Sequence, residues 1–212
     1  MMIMGQARTI GVIGAGLMGH GIALTFARCG HEVHVYDPFG EALAALHDRI
    51  EASLSALGAS TAEIASALVR VKTADTVKQA VKSAHFVIEA APEKLELKQS
   101  IFAEIEANAP ATAILASNTS VIQITKIMQG LKTPARALGT HWWNPPHQIP
   151  LVEVIKTEWT KNEAAQAMFD LLASVGKTPV MVEKDVPGFI GNRLQHALWR
   201  EAISLVENGI CD

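Results

Sequence analysis

Residues 9–19 decide the fold class, and they read Thr9-Ile10-Gly11-Val12-Ile13-Gly14-Ala15-Gly16-Leu17-Met18-Gly19. An apolar run typical of a buried strand passes into glycines spaced Gly-x-Gly-x-x-Gly, and a helical pattern follows. In that context Gly14 allows a tight turn, Gly16 allows a pyrophosphate to approach, and Gly19 lets the helix pack against the strand. The stretch predicts a dinucleotide-binding turn that includes Leu17 and Met18. A glycine-rich turn without a ligand is the alternative.

The residue that closes the next apolar run is Asp37. It lies about 20 residues beyond the glycines, where a carboxylate can accept hydrogen bonds from the adenine ribose hydroxyls. No Arg or Lys follows it closely, so a ribose 2′-phosphate would meet uncompensated negative charge. Asp37 therefore favours NAD over NADP, although an ordinary turn at a strand end is the alternative for this residue alone.

Short apolar runs alternate with helical patterns along most of the chain. The predicted strands are Thr9–Ile13, Glu32–Asp37, His85–Ala90, Ala113–Ser117, Arg136–His141, Leu151–Ile155 and Thr178–Val182. The predicted helices are Leu17–Arg28, Glu41–Leu57, Leu95–Asn108 and Asn162–Val175. The spacing of the third helix places Leu97, Ile101 and Ile105 on its apolar face. Such alternation predicts an α/β fold, a Rossmann-type doubly wound, mainly parallel sheet.

A further helical pattern follows Pro187-Gly188 near the end of the sequence. Its apolar positions are Ile190, Leu194, Ala197, Leu198, Ala202 and Leu205. They recur at helical spacing, so this face is expected to pack against another element. We expect residues 1–185 to form the NAD-binding domain with the catalytic residues. Residues 186–212 are expected to begin a C-terminal helical dimerisation domain that this chain lacks.

The composition is that of a globular protein, with 49% hydrophobic residues and a formal net charge of −3 among 212 residues. Both charge signs are interspersed, so a small molecule is expected as the partner rather than nucleic acid or a membrane. Cys29 and Cys211 are far apart and lack metal-ligand spacing, which favours a reducing, cytoplasmic location. No metal is expected. Residues 1–8 show no signal-peptide pattern, and no apolar run approaches the ~20 residues of a membrane span.

Five motifs follow one another in the rest of the chain. They are Ile88-Glu89-Ala90 with Pro92-Glu93-Lys94-Leu95-Glu96-Leu97-Lys98, Ser117-Asn118-Thr119-Ser120, His141-Trp142-Trp143-Asn144-Pro145, Leu151-Val152-Glu153-Val154-Ile155, and Pro187-Gly188-Phe189-Ile190-Gly191-Asn192-Arg193. In this order and at these separations the chain resembles the L-3-hydroxyacyl-CoA dehydrogenase family. The resemblance runs from the first strand to the end of the chain.

The resemblance implies a Rossmann domain that binds NAD, followed by an all-helical domain that forms a homodimer and closes the active site. It matches the catalytic histidine to His141 and its carboxylate partner to Glu153. It also matches substrate-binding positions to Ser120 and Asn192. The positions matched to cofactor contacts are Glu93, Lys98, Ser120 and Asn144. The reaction implied is NAD-dependent oxidation of the L-3-hydroxyl of a 3-hydroxyacyl-CoA to the 3-keto form.

The chemistry of the residues agrees with these roles. Oxidation of a secondary alcohol needs a base for the hydroxyl proton, and imidazole titrates near neutral pH. A carboxylate on the second ring nitrogen orients the imidazole, which suits Glu153 as the partner of His141. The alternatives are a structural core histidine, a glutamate on an exposed strand edge and, for Ser120, an N-cap of a helix over Val121–Met128. Asn192 is otherwise a solvated residue in a first helical turn.

The match to the acyl-CoA enzymes is incomplete after the second strand. Ser53 matches a CoA-contacting serine, but Ser60 occupies the position of the matching lysine, and Arg49 is the only Lys or Arg between Asp37 and Val69. The motif around His141 is similar to the branch that oxidises small free hydroxy acids, namely L-gulonate dehydrogenase (lambda-crystallin) and carnitine dehydrogenase. Two substrate classes therefore stay open: a 3-hydroxyacyl-CoA, which we rank first because it is the commonest substrate class of the family that the chain resembles, and a free β-hydroxy acid as the alternative. A crystallin-like structural or cofactor-binding protein is the non-enzymatic alternative.

Overall fold

The computed structural model describes residues 7–212, and what we predicted for residues 1–6 lies outside that range. The strands are β1 (Thr9–Ile13), β2 (Glu32–Tyr36), β3 (Val71–Ala74), β4 (Phe86–Glu89), β5 (Ile114–Ser117), β6 (Ala137–Trp142), β7 (Leu151–Ile155) and β8 (Thr178–Val182). The helices are α1 (Leu17–Arg28), α2 (Gly40–Ala44), α3 (Leu46–Ala56), α4 (Thr61–Leu68), α5 (Val77–Val81), α6 (Leu95–Asn108), α7 (Ile124–Met128), α8 (Asn162–Ser174) and α9 (Gly191–Glu207). A 3-10 turn spans Pro134–Arg136.

All the strands belong to one sheet, in the order β3-β2-β1-β4-β5-β6-β7-β8. Every neighbouring pair is parallel except β6 and β7, which are antiparallel. Residues of β4, β5 and β6 are buried throughout, as expected when helices cover both faces of a sheet. The strand order reverses between β1 and β4, and such a switch point opens a ligand crevice at the carboxyl ends of the strands. The predicted Rossmann-type fold is confirmed.

Most predicted elements agree with the structure to within one residue, but three short ones were missed. These are α4, β3 and α5, which lie between residues 61 and 81. β3 is an edge strand of four residues and α5 has five residues, so neither carries a long periodic pattern. The helix predicted over Glu41–Leu57 is divided at Ala45 into α2 and α3.

One local prediction is wrong, and one alternative is excluded. The apolar face predicted for α6 included Leu97, which is 38% exposed, whereas Lys98 and Phe102 are fully buried. A charged side chain therefore takes a core position because a buried carboxylate pairs with it. The helix after Ser120 begins only at Ile124, so Ser120 is not its N-cap.

The predicted helix near the end of the chain is present as α9, and its apolar face is exposed, as expected for a helix predicted to pack against a domain that this chain lacks. None of its residues is buried, and Leu194 and Leu198 are 66% and 68% exposed. Its apolar face is open to solvent in the part of the chain that the structure describes. None of the helices within residues 7–212 has the length and apolar character needed to cross a bilayer.

Candidate active site

The glycine-rich turn has the geometry that a bound pyrophosphate requires. Gly14 has φ +111°, and a Cβ there would lie 2.7 Å from the carbonyl oxygen of Ala90. A Cβ on Gly19 would lie 1.8 Å from the carbonyl oxygen of Gly14, so only glycine lets α1 pack this closely. Open space surrounds Gly16, the N-cap residue of α1, and no side chain caps this end of the helix. The first N–H groups of α1 are thus available to an anion, and this turn fits a dinucleotide.

Asp37 ties the end of β2 to this turn. Its Oδ2 accepts a hydrogen bond from the Ala15 N–H at 2.7 Å, and its Oδ1 accepts one from the Phe39 N–H at 2.9 Å. Each carboxylate oxygen can accept a further bond, so Asp37 remains able to bind a ribose hydroxyl. The guanidinium of Arg49 reaches the same turn and donates to the Ala15 carbonyl at 3.3 Å. Sequence reasoning did not place Arg49 here because α3 folds back over α1.

The two residues predicted as a catalytic pair meet in the antiparallel part of the sheet. His141 on β6 and Glu153 on β7 are directly opposite each other in the strand register. Side chains at opposite positions share one face of the sheet, and here His141 Nδ1 lies 2.7 Å from Glu153 Oε2. The side chains are 4% and 1% exposed. The pair therefore lies in the interior, where water competes little for its hydrogen bond.

The second oxygen of Glu153 binds the start of α9. Its Oε1 accepts hydrogen bonds from the N–H groups of Ile190 at 2.8 Å and Gly191 at 3.0 Å. Burial alone raises the pKa of Glu153, but the bonds from His141 and these two N–H groups outweigh it and hold the pKa below its usual value. The carboxylate stays ionised near neutral pH. It accepts the Nδ1 proton of His141, which leaves Nε2 free to accept another.

Aromatic rings enclose the imidazole of His141. The ring centroids of Trp143 and Phe189 lie 5.1 and 5.6 Å from it. Phe189 has φ +47°, a left-handed conformation that is uncommon for a bulky residue and is often found at functional sites. A Cβ on Gly191 would lie 2.4 Å from the Trp143 ring, so the first residue of α9 must be small for the indole to pack here.

An open cavity of about 410 Å³ adjoins His141 at the carboxyl edge of the sheet. Its walls include the predicted site residues Met18, Glu93, Ser120, His141, Asn144 and Asn192. Asn192 Nδ2 donates a hydrogen bond to the Ser120 carbonyl at 3.0 Å, which joins α9 to the turn after β5. The volume falls within the usual range of small-molecule sites. The fold thus brings these predicted residues together around one space.

Glu93 organises the turn that carries Ser120. Its Oε1 accepts hydrogen bonds from the N–H groups of Ser120 and Val121, both at 3.0 Å, and from the Thr119 hydroxyl. Burial raises the pKa of Glu93, but these bonds and the nearby Lys98 ammonium hold it below its usual value. Glu93 therefore presents a carboxylate at the cavity wall.

Lys98 and Ser53, which were also predicted as site residues, do not line this cavity. Lys98 is fully buried, and its Nζ donates to Glu89 Oε1 at 2.6 Å and to the Ala91 carbonyl at 3.0 Å. Ser53 lies on α3, where its Oγ is 3.4 Å from His20 Nε2. A larger cavity of about 580 Å³ lies between α1, α3 and α4, with Arg28 on its wall. It contains none of the predicted catalytic residues, so we place the chemistry in the smaller one.

Sequence reasoning gave no role to several polar residues at the carboxyl edge. Glu89 and Ser117 are fully buried there, and the Ser117 hydroxyl donates to Glu89 Oε2 at 2.6 Å. Asn118 Oδ1 accepts the N–H of Trp142 at 2.9 Å and so links β5 to β6 beside His141. The signal in the sequence was a polar residue at the end of each of two neighbouring apolar strands.

Residues 9–186 match the family model described as 3-hydroxyacyl-CoA dehydrogenase, NAD binding domain. The chain is 40% identical over 206 residues to 5-formyl-3-hydroxy-2-methylpyridine 4-carboxylate 5-dehydrogenase of Mesorhizobium japonicum, with 97% of this chain and 67% of that protein covered. It is 38% identical to an L-carnitine dehydrogenase of Streptomyces griseus, with 96% and 61% covered.

The structure is also similar to solved ones. It superimposes on 3-hydroxybutyryl-CoA dehydrogenase from Escherichia coli K12 with a TM-score of 0.91 and 36% sequence identity. That match covers 97% of this chain and 44% of the other. The chain therefore spans about three fifths to two thirds of the two curated relatives named above and less than half of this larger protein.

Proposed function

The chain belongs to the 3-hydroxyacyl-CoA dehydrogenase family and contains its NAD-binding domain, and from this premise we propose that it oxidises a β-hydroxyl group to a ketone. The observation that carries the proposal is the buried His141–Glu153 pair, because the imidazole of His141 lines a cavity that is also lined by Met18 of the dinucleotide turn. A structural role alone would not require an oriented imidazole beside an open space. This is the arrangement that alcohol oxidation needs.

We propose that His141 is the base that accepts the hydroxyl proton of the substrate. NAD supplies the hydride acceptor when it is bound, and the carbinol carbon loses its hydrogen as hydride. The hydroxyl proton passes to His141 Nε2, since Nδ1 is held by Glu153. The carbon–oxygen bond thereby becomes a carbonyl, and the charge that develops on imidazolium is balanced by the Glu153 carboxylate. In the reverse direction His141 returns the proton.

Ser120 and Asn192 are proposed to orient the substrate. Both line the cavity, and the bond from Asn192 to the Ser120 carbonyl fixes their relative position. The Ser120 hydroxyl and the Asn144 amide are exposed to the cavity and can donate to substrate or to the nicotinamide carboxamide. Met18 supplies an apolar wall for a flat ring.

We propose a small free hydroxy acid as the substrate. The curated relatives named above are, by name, dehydrogenases of carnitine and of a pyridine carboxylate. Ser60, which replaces a lysine of the acyl-CoA enzymes, caps α4 through a reciprocal pair of bonds with Glu63 and carries no positive charge. Among the later lysines, Lys72 is paired with Glu32 at the amino end of β2, at the edge opposite the dinucleotide turn. A CoA tail would thus meet few cations near α3.

A 3-hydroxyacyl-CoA is the second candidate. The family match favours it, and so does Arg28 on the wall of the 580 Å³ cavity beside the α3–α4 turn, where one guanidinium could meet a phosphate. Its product would be the 3-ketoacyl thioester.

The deciding experiment compares kcat/KM of the full-length protein with NAD for three substrates. These are 3-hydroxybutyryl-CoA, its pantetheine analogue and a panel of free β-hydroxy acids that includes carnitine. Preference for a free acid supports the proposal, and a loss of activity on removing the nucleotide from the CoA substrate supports the second candidate. Reduction of NAD by neither class, or equal reduction by His141→Gln, would contradict the oxidation of a β-hydroxyl altogether.

A further inference from the structure

Glu89 forms a buried ion pair with Lys98 and has not yet been assigned a role. Glu89 ends β4 in the middle of the sheet, where its neighbours in register are Ile13 and Ser117. Its carboxylate accepts three hydrogen bonds of 2.6 Å each, from the Ala91 N–H, the Lys98 ammonium and the Ser117 hydroxyl. Three donors on a side chain with no exposed surface hold this carboxylate in one place.

Lys98 stands between two carboxylates at unequal distances. Its Nζ is 2.6 Å from Glu89 Oε1 and 3.4 Å from Glu93 Oε2. The ammonium and Glu89 have no exposed surface, whereas the Glu93 side chain is 34% exposed. Two carboxylates and one ammonium leave a single net negative charge. Because Glu89 takes the closer contact with Lys98, that charge resides on Glu93, at the cavity wall.

A charge on the cavity wall interacts differently with the oxidised and the reduced form of the cofactor. His141 takes the hydroxyl proton, so the carbon that receives the hydride must lie within the same cavity, between the glycine-rich turn and His141. The nicotinamide ring of NAD⁺ carries a positive charge, and that of NADH is neutral. A carboxylate on the wall attracts the oxidised ring more strongly than the reduced one.

We infer that Glu89 is a positioning residue that neutralises Lys98 and so keeps Glu93 negative towards the nicotinamide, which favours NAD⁺ over NADH in the binding site. Without Glu89 the ammonium would pair with Glu93, and the wall would carry no net charge. Glu89 does not touch the cofactor in this account and acts only through Lys98. The inference rests on the cofactor part of the proposed function and is independent of the substrate.

The test is the ratio of the dissociation constants of NADH and NAD⁺, measured without substrate by calorimetry. Glu89→Gln keeps the size of the side chain and removes its charge. We expect NAD⁺ to bind roughly tenfold more weakly, as one unit charge a few ångströms away implies, and the affinity for NADH to change by less than about threefold. Loss of a purely structural residue would weaken both forms alike.

Two further variants separate charge from packing. Glu89→Gln with Lys98→Met removes both charges of the buried pair and returns the net negative charge to Glu93, so the ratio should return to the wild-type value. If Glu89→Gln does not fold, the double variant is compared with Lys98→Met, in which the uncompensated negative charge should shift the ratio towards tighter binding of NAD⁺ and the added Glu89→Gln should remove that shift. Ser117→Ala removes a hydrogen bond from Glu89 without changing any charge, and the ratio should stay the same.

The outcomes are distinct from those of the proposed function. An unchanged ratio in Glu89→Gln, an equal loss for both cofactor forms, or a double variant that stays shifted would each overturn the inference while leaving β-hydroxyl oxidation intact. Failure of the wild-type protein to bind either form would instead contradict the NAD site.

Discussion

Two buried carboxylates lie at the same edge of the sheet and differ in the base that each one holds. Glu89 at the end of β4 binds the ammonium of Lys98, whereas Glu153 on β7 binds the imidazole of His141. Both carboxylates also accept backbone N–H groups, and both have almost no exposed surface. Their environments are therefore alike, and the partner makes the difference.

The partner determines what each pair can do. An ammonium keeps its charge across the physiological range, so the pair at Glu89 is suited to fix charge and geometry. Imidazole gains and loses a proton near neutral pH, so the pair at Glu153 is suited to move one. The first is expected to control binding and stability, and the second to control rate. Substitutions at the two pairs should therefore change different measured quantities.

The largest expected effect is on rate at the imidazole pair. His141→Gln removes the base while Gln can still bond to Glu153, so kcat/KM should fall by about 10³-fold, or roughly 4 kcal/mol of transition-state stabilisation. The dissociation constant of NADH should stay within about twofold because the dinucleotide turn is untouched. Steady-state kinetics and calorimetry measure the two quantities. A fully active His141→Gln protein would remove His141 from its assigned role.

The next largest effect is on stability at the ammonium pair. Lys98→Met leaves the Glu89 carboxylate buried without its counter-charge, which should lower the free energy of unfolding by about 3 kcal/mol. Adding Glu89→Gln to this variant should recover most of the loss, since no unpaired charge remains. Urea unfolding followed by circular dichroism gives both values. If Glu89→Gln instead lowers the free energy of unfolding of Lys98→Met further, packing rather than charge stabilises this pair.

A smaller effect is expected from the packing around the imidazole pair. Gly191→Ala places a Cβ 2.4 Å from the Trp143 ring and 3.3 Å from Glu153 Oε2, which forces the first turn of α9 away. We expect about 1–2 kcal/mol of destabilisation and a lower kcat. Gly40→Ala is the matched control, because a Cβ there meets nothing within 4 Å. Equal behaviour of the two variants would show that Gly191 is not needed for its size.

The smallest expected effect is on the pH dependence of stability, and it comes from Lys177, whose amine bonds to backbone carbonyls rather than to a carboxylate. Lys177 donates to the carbonyls of Pro146 and Ile149 below the Trp142 ring. Burial and then the nearby Arg28 lower its pKa to about 8. The folded state thus holds fewer protons than the unfolded state between pH 8 and about 10.4, the ordinary pKa of lysine. Burial of the charged amine therefore lowers the free energy of unfolding below pH 8, and this loss is recovered as the pH rises.

The free energy of unfolding should therefore rise with pH across that window more steeply than in Lys177→Met. Cys29 must be replaced by Ala in both proteins, since burial raises the pKa of its thiol and gives the opposite slope. Urea titrations at pH 7.5 and pH 10 measure the difference. If the free energy of unfolding depends on pH equally in both proteins, the two carbonyls offset the cost of burying the ammonium.

The sequence predicts the features that depend on local patterns. The strand, the three glycines and the start of α1 are contiguous, and the strands that carry His141 and Glu153 are well marked apolar runs. Features that depend on tertiary contacts were not predictable in this way. The burial of Lys98 requires Glu89 from another element, and the bond from Asn192 to Ser120 joins residues 72 positions apart. Only the family resemblance indicated Asn192, because a polar residue in an exposed first turn carries no signal of its own.

The bonds from Ile190 and Gly191 to Glu153 make the catalytic carboxylate a sensor of where α9 lies. If this segment moves away, Glu153 loses two donors that hold its pKa down, so its pKa rises and the carboxylate becomes a more basic acceptor for the Nδ1 proton of His141. Docking or release of the segment that follows Pro187 thus changes the basicity of Glu153, the carboxylate that orients His141. The proton affinity of Glu153 and the position of α9 are therefore thermodynamically linked in this fold.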